Sequence, residues 1–243
     1  MAAVSRASGA AALVAVTLLT PPQAVARTTV PAAPTRSEAW IARIVHPTLA
    51  RSEPGGGEAV ERVDALARWN GGPVGLLVLG TRADADGRLW LRVALPTRPN
   101  HGTGWIQADQ TKLSRTPYRI EVSVGRRTVT LLRAGRVDQV YRAVVGQPRW
   151  PTPRGLFAVS ERVPQPDPDG FLGPWALVLT AFSPTLTSFD GGPGQVAIHG
   201  RAGASLADPL GSARSHGCIR IPNEGIRLLA RLAREGTPVE IVA

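Results

Sequence analysis

The stretch from Val196 to Asn223 contains the side chains that an acyl-transfer reaction would need. It reads VAIHGRAGASLADPLGSARSHGCIRIPN and includes His199, His216 and Cys218. A thiol becomes a strong nucleophile when a nearby base takes its proton, and fixed N–H donors stabilise the oxyanion that its attack creates. The stretch therefore predicts a cysteine nucleophile activated by a histidine.

The tetrapeptide Ser215-His216-Gly217-Cys218 predicts a tight turn around the thiol. Glycine accepts backbone conformations that are closed to other residues, so Gly217 allows a sharp turn that exposes N–H groups beside the sulfur. His216 is too close to Cys218 in sequence to be an obvious base, although it could brace the loop. His199 follows a separate predicted strand, so its imidazole can face the thiol across a cleft.

Cys218 is the only cysteine of the chain, so no internal disulfide can form. A single cysteine in an exported protein is an intermolecular partner or a reactive thiol, whereas a lone cysteine is otherwise often a small buried apolar side chain. A zinc site made of Cys218, His216 and His199 is a further alternative. Zinc usually takes three or four ligands at typical spacings, and no fourth candidate lies nearby. We therefore expect no metal and no cofactor.

Short strands predominate in the part of the chain that carries these residues. Residues 118–124 alternate between apolar and polar side chains, which is typical of antiparallel sheets with one covered face. Further strands are predicted at residues 127–133, 137–145, 156–159, 175–181, 196–198 and 239–242. A long loop at 163–174 could border a cleft. One helix is predicted from the N-cap Asn223 onward, with Ile226, Leu229 and Ala233 on one face.

Residues 38–113 form a separate unit, which residues 114–117 join to the second one. Strands are predicted at 76–79 and 89–93, with an Asp86-Gly87 turn between them, while 58–69 is predicted to be helical or irregular. Short strands with glycine-rich turns favour a small barrel. The pattern WLRV followed by GTGWI resembles bacterial SH3-like domains, which implies wall binding or a structural lid without chemistry of its own.

The N-terminus has the pattern of an export signal. Arg6 lies in a basic region, residues 10–19 are apolar, and Ala24-Val25-Ala26 forms a cleavage site. The apolar run is short for a bilayer span, and an uncleaved N-terminal anchor is the alternative. We expect a signal peptide over 1–26, a Pro-rich linker over 27–37, and a protein without a stable membrane span that is exported to the periplasmic space, the cell wall or the medium.

The chain is strongly basic, with a net charge of +10 and an isoelectric point near 11.4. A basic surface attracts polyanions, which makes anionic cell-wall polymers candidate partners, although a genome rich in G and C would also raise the arginine content. No basic cluster is interleaved with aromatic residues, as a groove for single-stranded nucleic acid would require. We therefore expect no nucleic-acid partner.

The stretch around the thiol resembles the signature of the L,D-transpeptidase catalytic-domain family. That signature is a His, a spacer, a Ser or Thr followed by His-Gly-Cys, then an apolar residue and Asn or Arg. Here fifteen residues separate His199 from Ser215-His216-Gly217-Cys218-Ile219-Arg220, and Arg220 stands where many members carry Asn. The resemblance covers residues 117–243. It implies a mainly β protein, in which an antiparallel β-sandwich catalytic domain with one C-terminal helix follows the SH3-like β-barrel.

The resemblance also implies the role of each residue in the motif. Cys218 would be the nucleophile and His199 the general base, oriented by the carbonyl of Gly200. The residues that would form or support the oxyanion hole are Gly217, Cys218, His216, Gly200 and Ser215. Arg220 would bind a substrate carboxylate, and a structural ion pair is its alternative role.

The implied reaction acts on the stem peptides of peptidoglycan. Cys218 would attack a stem carbonyl and release D-alanine, and the side-chain amine of a diamino acid on a second stem would then take the acyl group. A hydrolase that uses water as the acceptor, an L,D-carboxypeptidase, is the nearest alternative, and an inactive wall-binding module is a more distant one. Removal of residues 38–113 is expected to weaken wall targeting more than chemistry.

Overall fold

The structure is a computed structural model that describes residues 1–3, 30–188 and 191–243. The apolar run and the cleavage site of the predicted export signal lie outside these ranges. No helix within the described ranges is both long enough and apolar enough to cross a membrane.

The first unit is a seven-stranded antiparallel sheet. Its strands are β1 (Ala39–Ile44), β2 (Thr48–Glu53), β3 (Gly56–Val63), β4 (Gly75–Ala83), β5 (Leu89–Ala94), β6 (Thr103–Gln107) and β7 (Thr111–Thr116), in the order β3-β2-β6-β5-β4-β1-β7. Alternating side chains such as Leu91, Val93 and Ile106 are fully buried in its core. The SH3-like assignment of this unit stays a prediction.

The predicted helical or irregular stretch at 58–69 is wrong in its first half. Residues up to Val63 belong to β3, which pairs with β2 across a turn in which Gly55 and Gly57 have positive φ angles of 76° and 78°. Most β3 side chains are exposed, so the local pattern carries no strand-like alternation of burial. Pairing with β2 decides the structure of this segment instead.

The second unit is built around an eight-stranded sheet. Its elements are β8 (Tyr118–Ser123), β9 (Thr128–Arg133), β10 (Arg136–Arg142), β11 (Val145–Gly146), β12 (Gly155–Pro164), β13 (Trp175–Phe182), β14 (Gln195–His199), β15 (Ala213–Ser215), β16 (Ile219–Arg220), α1 (Asn223–Leu232) and β17 (Pro238–Val242). The strand order is β10-β9-β8-β17-β12-β13-β14-β16, and β11 pairs with β15 apart from it. Neighbours are antiparallel except β8–β17 and β14–β16, which are parallel. The prediction of a mainly β sandwich with one C-terminal helix is confirmed.

Helix α1 packs its predicted face onto the core and connects to the site through its first residue. Ile226, Leu229 and Ala233 are fully buried, as their spacing predicts. Asn223 is not the N-cap, because it is already helical and its side chain caps nothing. Its Oδ1 instead accepts a hydrogen bond from the Arg201 backbone N–H at 2.7 Å, which ties the helix to the segment that follows β14.

The two units share a buried apolar cluster. Ala39, Leu77 and Ala94 of the first unit pack with Ala158 of the second. Polar contacts continue the interface: the Asn100 side chain donates to the Phe182 carbonyl and accepts from the Phe182 N–H, both at 2.8 Å. The first unit is therefore fixed against the strands that carry the candidate site.

Candidate active site

The register of two neighbouring strands places the thiol and the imidazole on one face of the sheet. In the parallel pair β14–β16, Ile198 lies opposite Ile219 and His199 lies opposite Arg220. Side chains alternate along a strand, and paired residues point to the same face. Ile198 and Ile219 are fully buried in the core, so His199, Arg220 and Cys218, which is next to Ile219, face the other way.

The thiol and the imidazole line the same small cavity, which has a volume of about 40 Å³. Phe171 and Leu172 form part of its wall, so the loop predicted at 163–174 does border the cleft. The full lining is Phe171, Leu172, Ser183, Leu186, Gly194, Gln195, Val196, His199, His216, Cys218 and Arg220.

His199 is held in one orientation by the residue that follows it. Its Nδ1 lies 2.8 Å from the carbonyl oxygen of Gly200. A carbonyl only accepts hydrogen bonds, so Nδ1 carries the proton and the Nε2 lone pair is left to act as a base. A side chain at Gly200 would clash with Asn223 and Pro174, so this tight turn requires glycine.

Burial keeps the His199 imidazole neutral. The side chain is 1% exposed, and the loss of solvation together with the nearby positive charge of Arg220 lowers its pKa to about 4. The carbonyls of Gly200 and Leu172 favour the protonated ring, but their effect on the pKa is smaller and is outweighed. The imidazole is therefore in its basic form throughout the physiological pH range.

Burial also keeps the Cys218 thiol protonated at rest. Loss of solvation raises the pKa of the thiol above 9.0, while the Ala197 N–H and the charge of Arg220 partly offset this rise. Two neutral groups thus line the same cavity, rather than a thiolate and an imidazolium. Such a pair can form the thiolate only as the proton passes to the base during attack.

Two hydroxyl groups fix the turn that carries the thiol. Ser215 Oγ donates to the Cys218 carbonyl at 2.6 Å and accepts from the Gly217 N–H at 3.1 Å. Thr152 Oγ1 accepts from the Gly146 N–H and donates to the Gly217 carbonyl, both at 2.9 Å. Gly217 has a φ of 116°, a conformation that side chains rarely allow.

These contacts correct the predicted oxyanion hole. The Gly217 N–H already donates to Ser215 Oγ, so it is not available to a substrate oxyanion. Gly217 shapes the turn, and the N–H group of Cys218 stays a candidate for the oxyanion hole. The role of Ser215 follows from the same bond, because its hydroxyl closes the turn on both sides of Gly217.

His216 packs sideways instead of approaching the base. Its ring is tilted against Trp150 with centroids 4.1 Å apart. Within residues 30–188 and 191–243, no three His, Cys, Asp or Glu side chains are grouped as a metal site would need. The contact with Trp150 is consistent with a bracing role for His216, which stays a prediction.

Arg220 forms the ion pair that was the alternative to carboxylate binding. Its Nη1 lies 2.6 Å from Asp208 Oδ2, its side chain is 4% exposed, and Phe171 covers its guanidinium at 4.7 Å. The guanidinium also lines the cavity, where its charge lowers the pKa of His199. A role in substrate binding stays a prediction.

A second, larger cleft is also lined by Cys218, and it shares Leu172 and Gln195 with the first. Its volume is about 270 Å³, and it includes Trp69 from the first unit. The other lining residues are Val163, Gln165, Leu172, Ala176, Val178, Gln195, Ala197 and Cys218. Sequence reasoning missed Trp69, Asp208 and Thr152, because their roles depend on contacts between segments far apart in the chain.

A mainly β fold with a thiol and a buried imidazole on one sheet face belongs to the architectural class of L,D-transpeptidase catalytic domains. The profile of the YkuD L,D-transpeptidase catalytic domain matches residues 117–241, just over half of the chain. The chain is a member of the YkuD L,D-transpeptidase family.

The chain is also similar to individual proteins. The YkuD protein of Bacillus licheniformis is 32% identical over 164 residues, which are 65% of this chain and 89% of the relative. The YkuD protein of Bacillus subtilis is 34% identical over 125 residues, which are 51% of this chain and 66% of the relative. Among solved structures, an L,D-transpeptidase from Mycobacterium smegmatis is 17% identical, covers 81% of this chain and 99% of its own, and has a TM-score of 0.42.

Proposed function

We propose that this protein is a peptidoglycan L,D-transpeptidase with Cys218 as its nucleophile. The observation that carries the proposal is the placement of Cys218 and His199 on one face of neighbouring strands, along a single cavity. Cys218 as a residue is of intermediate burial and lines both clefts, so a substrate carbonyl can reach it. The family membership supplies the substrate class, the stem peptides of the bacterial wall.

The first half-reaction transfers the stem to the enzyme. As the Cys218 sulfur attacks the stem carbonyl, its proton passes to His199 Nε2, and the N–H groups of the turn stabilise the oxyanion. The carbon–nitrogen bond then breaks, and His199 returns the proton to the leaving amine of D-alanine. A thioester between the stem and Cys218 remains.

The second half-reaction releases the stem to an acceptor. The side-chain amine of a diamino acid on another stem attacks the thioester, and His199 removes a proton from that amine. The carbon–sulfur bond breaks, a new amide forms, and His199 returns the proton to the sulfur. If water replaces the amine, the same steps yield an L,D-carboxypeptidase.

The two outcomes are separated by product analysis. Purified protein is incubated with a tetrapeptide stem, with and without an amine acceptor, and the products are identified by mass spectrometry. A transpeptidase forms the cross-linked dimer when the acceptor is present. Release of D-alanine without any dimer would assign the protein to the hydrolases instead.

The nucleophile is tested by Cys218→Ala. We expect loss of both D-alanine release and dimer formation with an unchanged melting temperature, because the side chain lies at the edge of a cleft. Cys218 is the only thiol, so a carbapenem adduct seen in the intact mass of the wild type and absent from the variant would report on this residue alone. Activity in the variant would remove the basis of the proposal.

The proposed place of action is outside the cytoplasm, after export by the signal at residues 1–26. Peptidoglycan is found there, and the net charge of +10 favours contact with anionic wall polymers. N-terminal sequencing of protein recovered from the producing cells tests the signal, since cleavage predicts a start at Arg27.

A further inference from the structure

A row of side chains leads from the thiol across the sheet to the first unit. Cys218 aligns with Ala197, Ala197 pairs with Val178, and Val178 pairs with Glu161. The row therefore crosses the four neighbouring strands β16, β14, β13 and β12 on one face. Because neighbouring strands lie about 4.8 Å apart, it is roughly 14 Å long.

Glu161, at the far end of this row, holds a loop of the first unit. Its carboxylate is 7% exposed and accepts hydrogen bonds from the backbone N–H groups of Arg68 at 3.2 Å, Trp69 at 2.8 Å and Asn70 at 3.3 Å. The Asn70 side chain adds a bond to the Arg162 carbonyl at 2.9 Å. Three N–H donors on one buried carboxylate fix the position of this loop.

The loop places the Trp69 indole at the end of the cleft that begins at Cys218. The ring lines that cleft and is still 47% exposed, and the Arg68 guanidinium lies 4.9 Å from its centroid. An exposed indole offers a flat apolar face with a polar edge, which suits a ligand that is partly apolar and partly hydroxylated. A sugar ring has both properties.

The chemistry of the site decides which part of the substrate occupies this cleft. The amine that leaves and the amine that attacks both exchange a proton with His199, so both lie in the cavity of about 40 Å³ that His199 lines. The retained acyl part, which is larger, then extends into the neighbouring cleft of about 270 Å³, which Cys218 also lines. Its floor consists of the small apolar side chains Ala176, Val178 and Ala197.

Length decides what reaches Trp69. Three extended residues, the acyl part of a tetrapeptide stem, span about 10 Å. The row from Cys218 to Glu161, whose carboxylate binds the Trp69 backbone N–H, is longer than this, so a group at the Glu161 end of the row is one attached beyond the first stem residue. We propose that Trp69 is a specificity-determining residue that binds the wall sugar carrying the donor stem. This inference rests on the proposed function, because it takes a glycan-linked stem as the donor.

The test compares binding of two donors to Cys218→Ala, in which no turnover occurs. The donors are a free tetrapeptide stem and the same stem attached to its disaccharide, and calorimetry gives both dissociation constants. We expect the disaccharide to tighten binding by about three- to tenfold, the usual contribution of an aromatic contact. Adding Trp69→Ala should make the dissociation constants of the two donors equal. Adding Trp69→Phe should keep most of the difference between them.

Trp105→Ala is the matched control. Trp105 lies in β6 of the same unit, has the Arg82 guanidinium over its ring at 5.4 Å, and is not part of the cleft. Its loss should leave the preference for the disaccharide unchanged. Glu161→Gln should reduce the preference, because a neutral amide accepts more weakly from the three N–H groups.

The outcomes separate this inference from the proposed function. Equal binding of both donors to Cys218→Ala, or a preference that survives Trp69→Ala, overturns the role of Trp69 even if the wild type makes cross-links. A preference that depends on Trp69 supports it even if the wild type proves to be a hydrolase. Absence of acylation and of product in the wild type would count against the proposed function alone.

Discussion

At the scale of single residues, the site depends on two groups that burial holds in their neutral forms. Burial lowers the pKa of His199 to about 4 and raises that of Cys218. The Gly200 carbonyl sets the tautomer that leaves Nε2 as the base. Charge therefore appears only during the reaction, when the sulfur attacks, and the resting site is not an ion pair.

The first residue-scale prediction concerns the pH dependence of catalysis. The base must be unprotonated, so activity is present above the pKa of His199 and is lost as the pH falls through it. We expect the acidic limb of kcat/KM near pH 4, well below the 6.5 of free imidazole. A pH profile with a stem substrate measures this, and a limb near 6.5 would mean that the imidazole is solvated.

The second residue-scale prediction concerns acid stability. The unfolded chain protonates His199 at about 6.5 and the folded chain only at about 4, so stability is complete above 6.5 and declines as the pH falls toward 4. Between pH 6.5 and 5 this group should cost about 2 kcal/mol. The glutamine in His199→Gln cannot titrate. Between pH 6.5 and pH 5, the unfolding free energy of this variant, measured with urea, should therefore fall by about 2 kcal/mol less than that of the wild type. Equal losses in both proteins would contradict the buried neutral imidazole.

At the scale of elements, the two-residue strand β16 and the turn before it place the thiol. Ser215 and Thr152 hold the turn, and pairing of β16 with β14 sets which side chains face the cavity. Asn223 at the start of α1 fixes the segment after His199. The site is thus assembled from short segments that carry little regular structure of their own.

Thr152→Val tests this at the scale of the turn. Valine has nearly the same shape but leaves the Gly146 N–H and the Gly217 carbonyl without their partner. We expect a loss of about 1–3 kcal/mol in unfolding free energy and a slower acylation of Cys218. Thr152→Ser, which keeps the hydroxyl, should stay close to the wild type in both measurements. A stable and fully active valine variant would show that the turn is held by other contacts.

Local patterns predicted the elements with clear alternation or periodicity and missed those defined by distant partners. Strands such as β8 and β13 and the buried face of α1 follow from apolar spacing. The exposed strand β3 and the short β16 do not, because pairing across the sheet creates them. Cys218 and His199 were predicted from their residue types and from the resemblance of the motif to a known family, whereas the bond that occupies the Gly217 N–H could be found only from three-dimensional contacts.

At the scale of the whole molecule, the first unit is part of the structure around the site. It shares the cluster that buries Ala158, it provides three N–H groups to Glu161, and it places Trp69 in the cleft. Arg98 of the same unit donates to the carbonyls of Ser183 and Leu186, which line the cavity of His199. These contacts change the expectation that the first unit serves targeting more than chemistry.

We therefore predict that a fragment of residues 117–243 is less stable and less active than the full chain. Removing the first unit exposes Ala158 and leaves the Glu161 carboxylate without its N–H donors, which should cost about 2–4 kcal/mol. Urea unfolding and carbapenem acylation rates of the two proteins measure the effect. Glu161→Gln should destabilise the full chain more than the fragment, because only the full chain has the N–H groups that bind the carboxylate. If the fragment is as stable and as reactive as the full chain, the original expectation that the first unit serves wall targeting more than chemistry would hold.

The parallel register between β14 and β16 limits how this sequence can change in length. The spacer between His199 and Ser215 contains no strand before Ala213. Residues could therefore be gained or lost there without changing the sheet face on which His199 and Cys218 lie. One residue inserted between Cys218 and Ile219 would put both side chains on the same face of the sheet, so either the sulfur would turn into the interior or the isoleucine would turn into the cleft. We therefore expect related sequences to differ in the number of residues before Ser215 but to have the same number from Gly217 onward into β16.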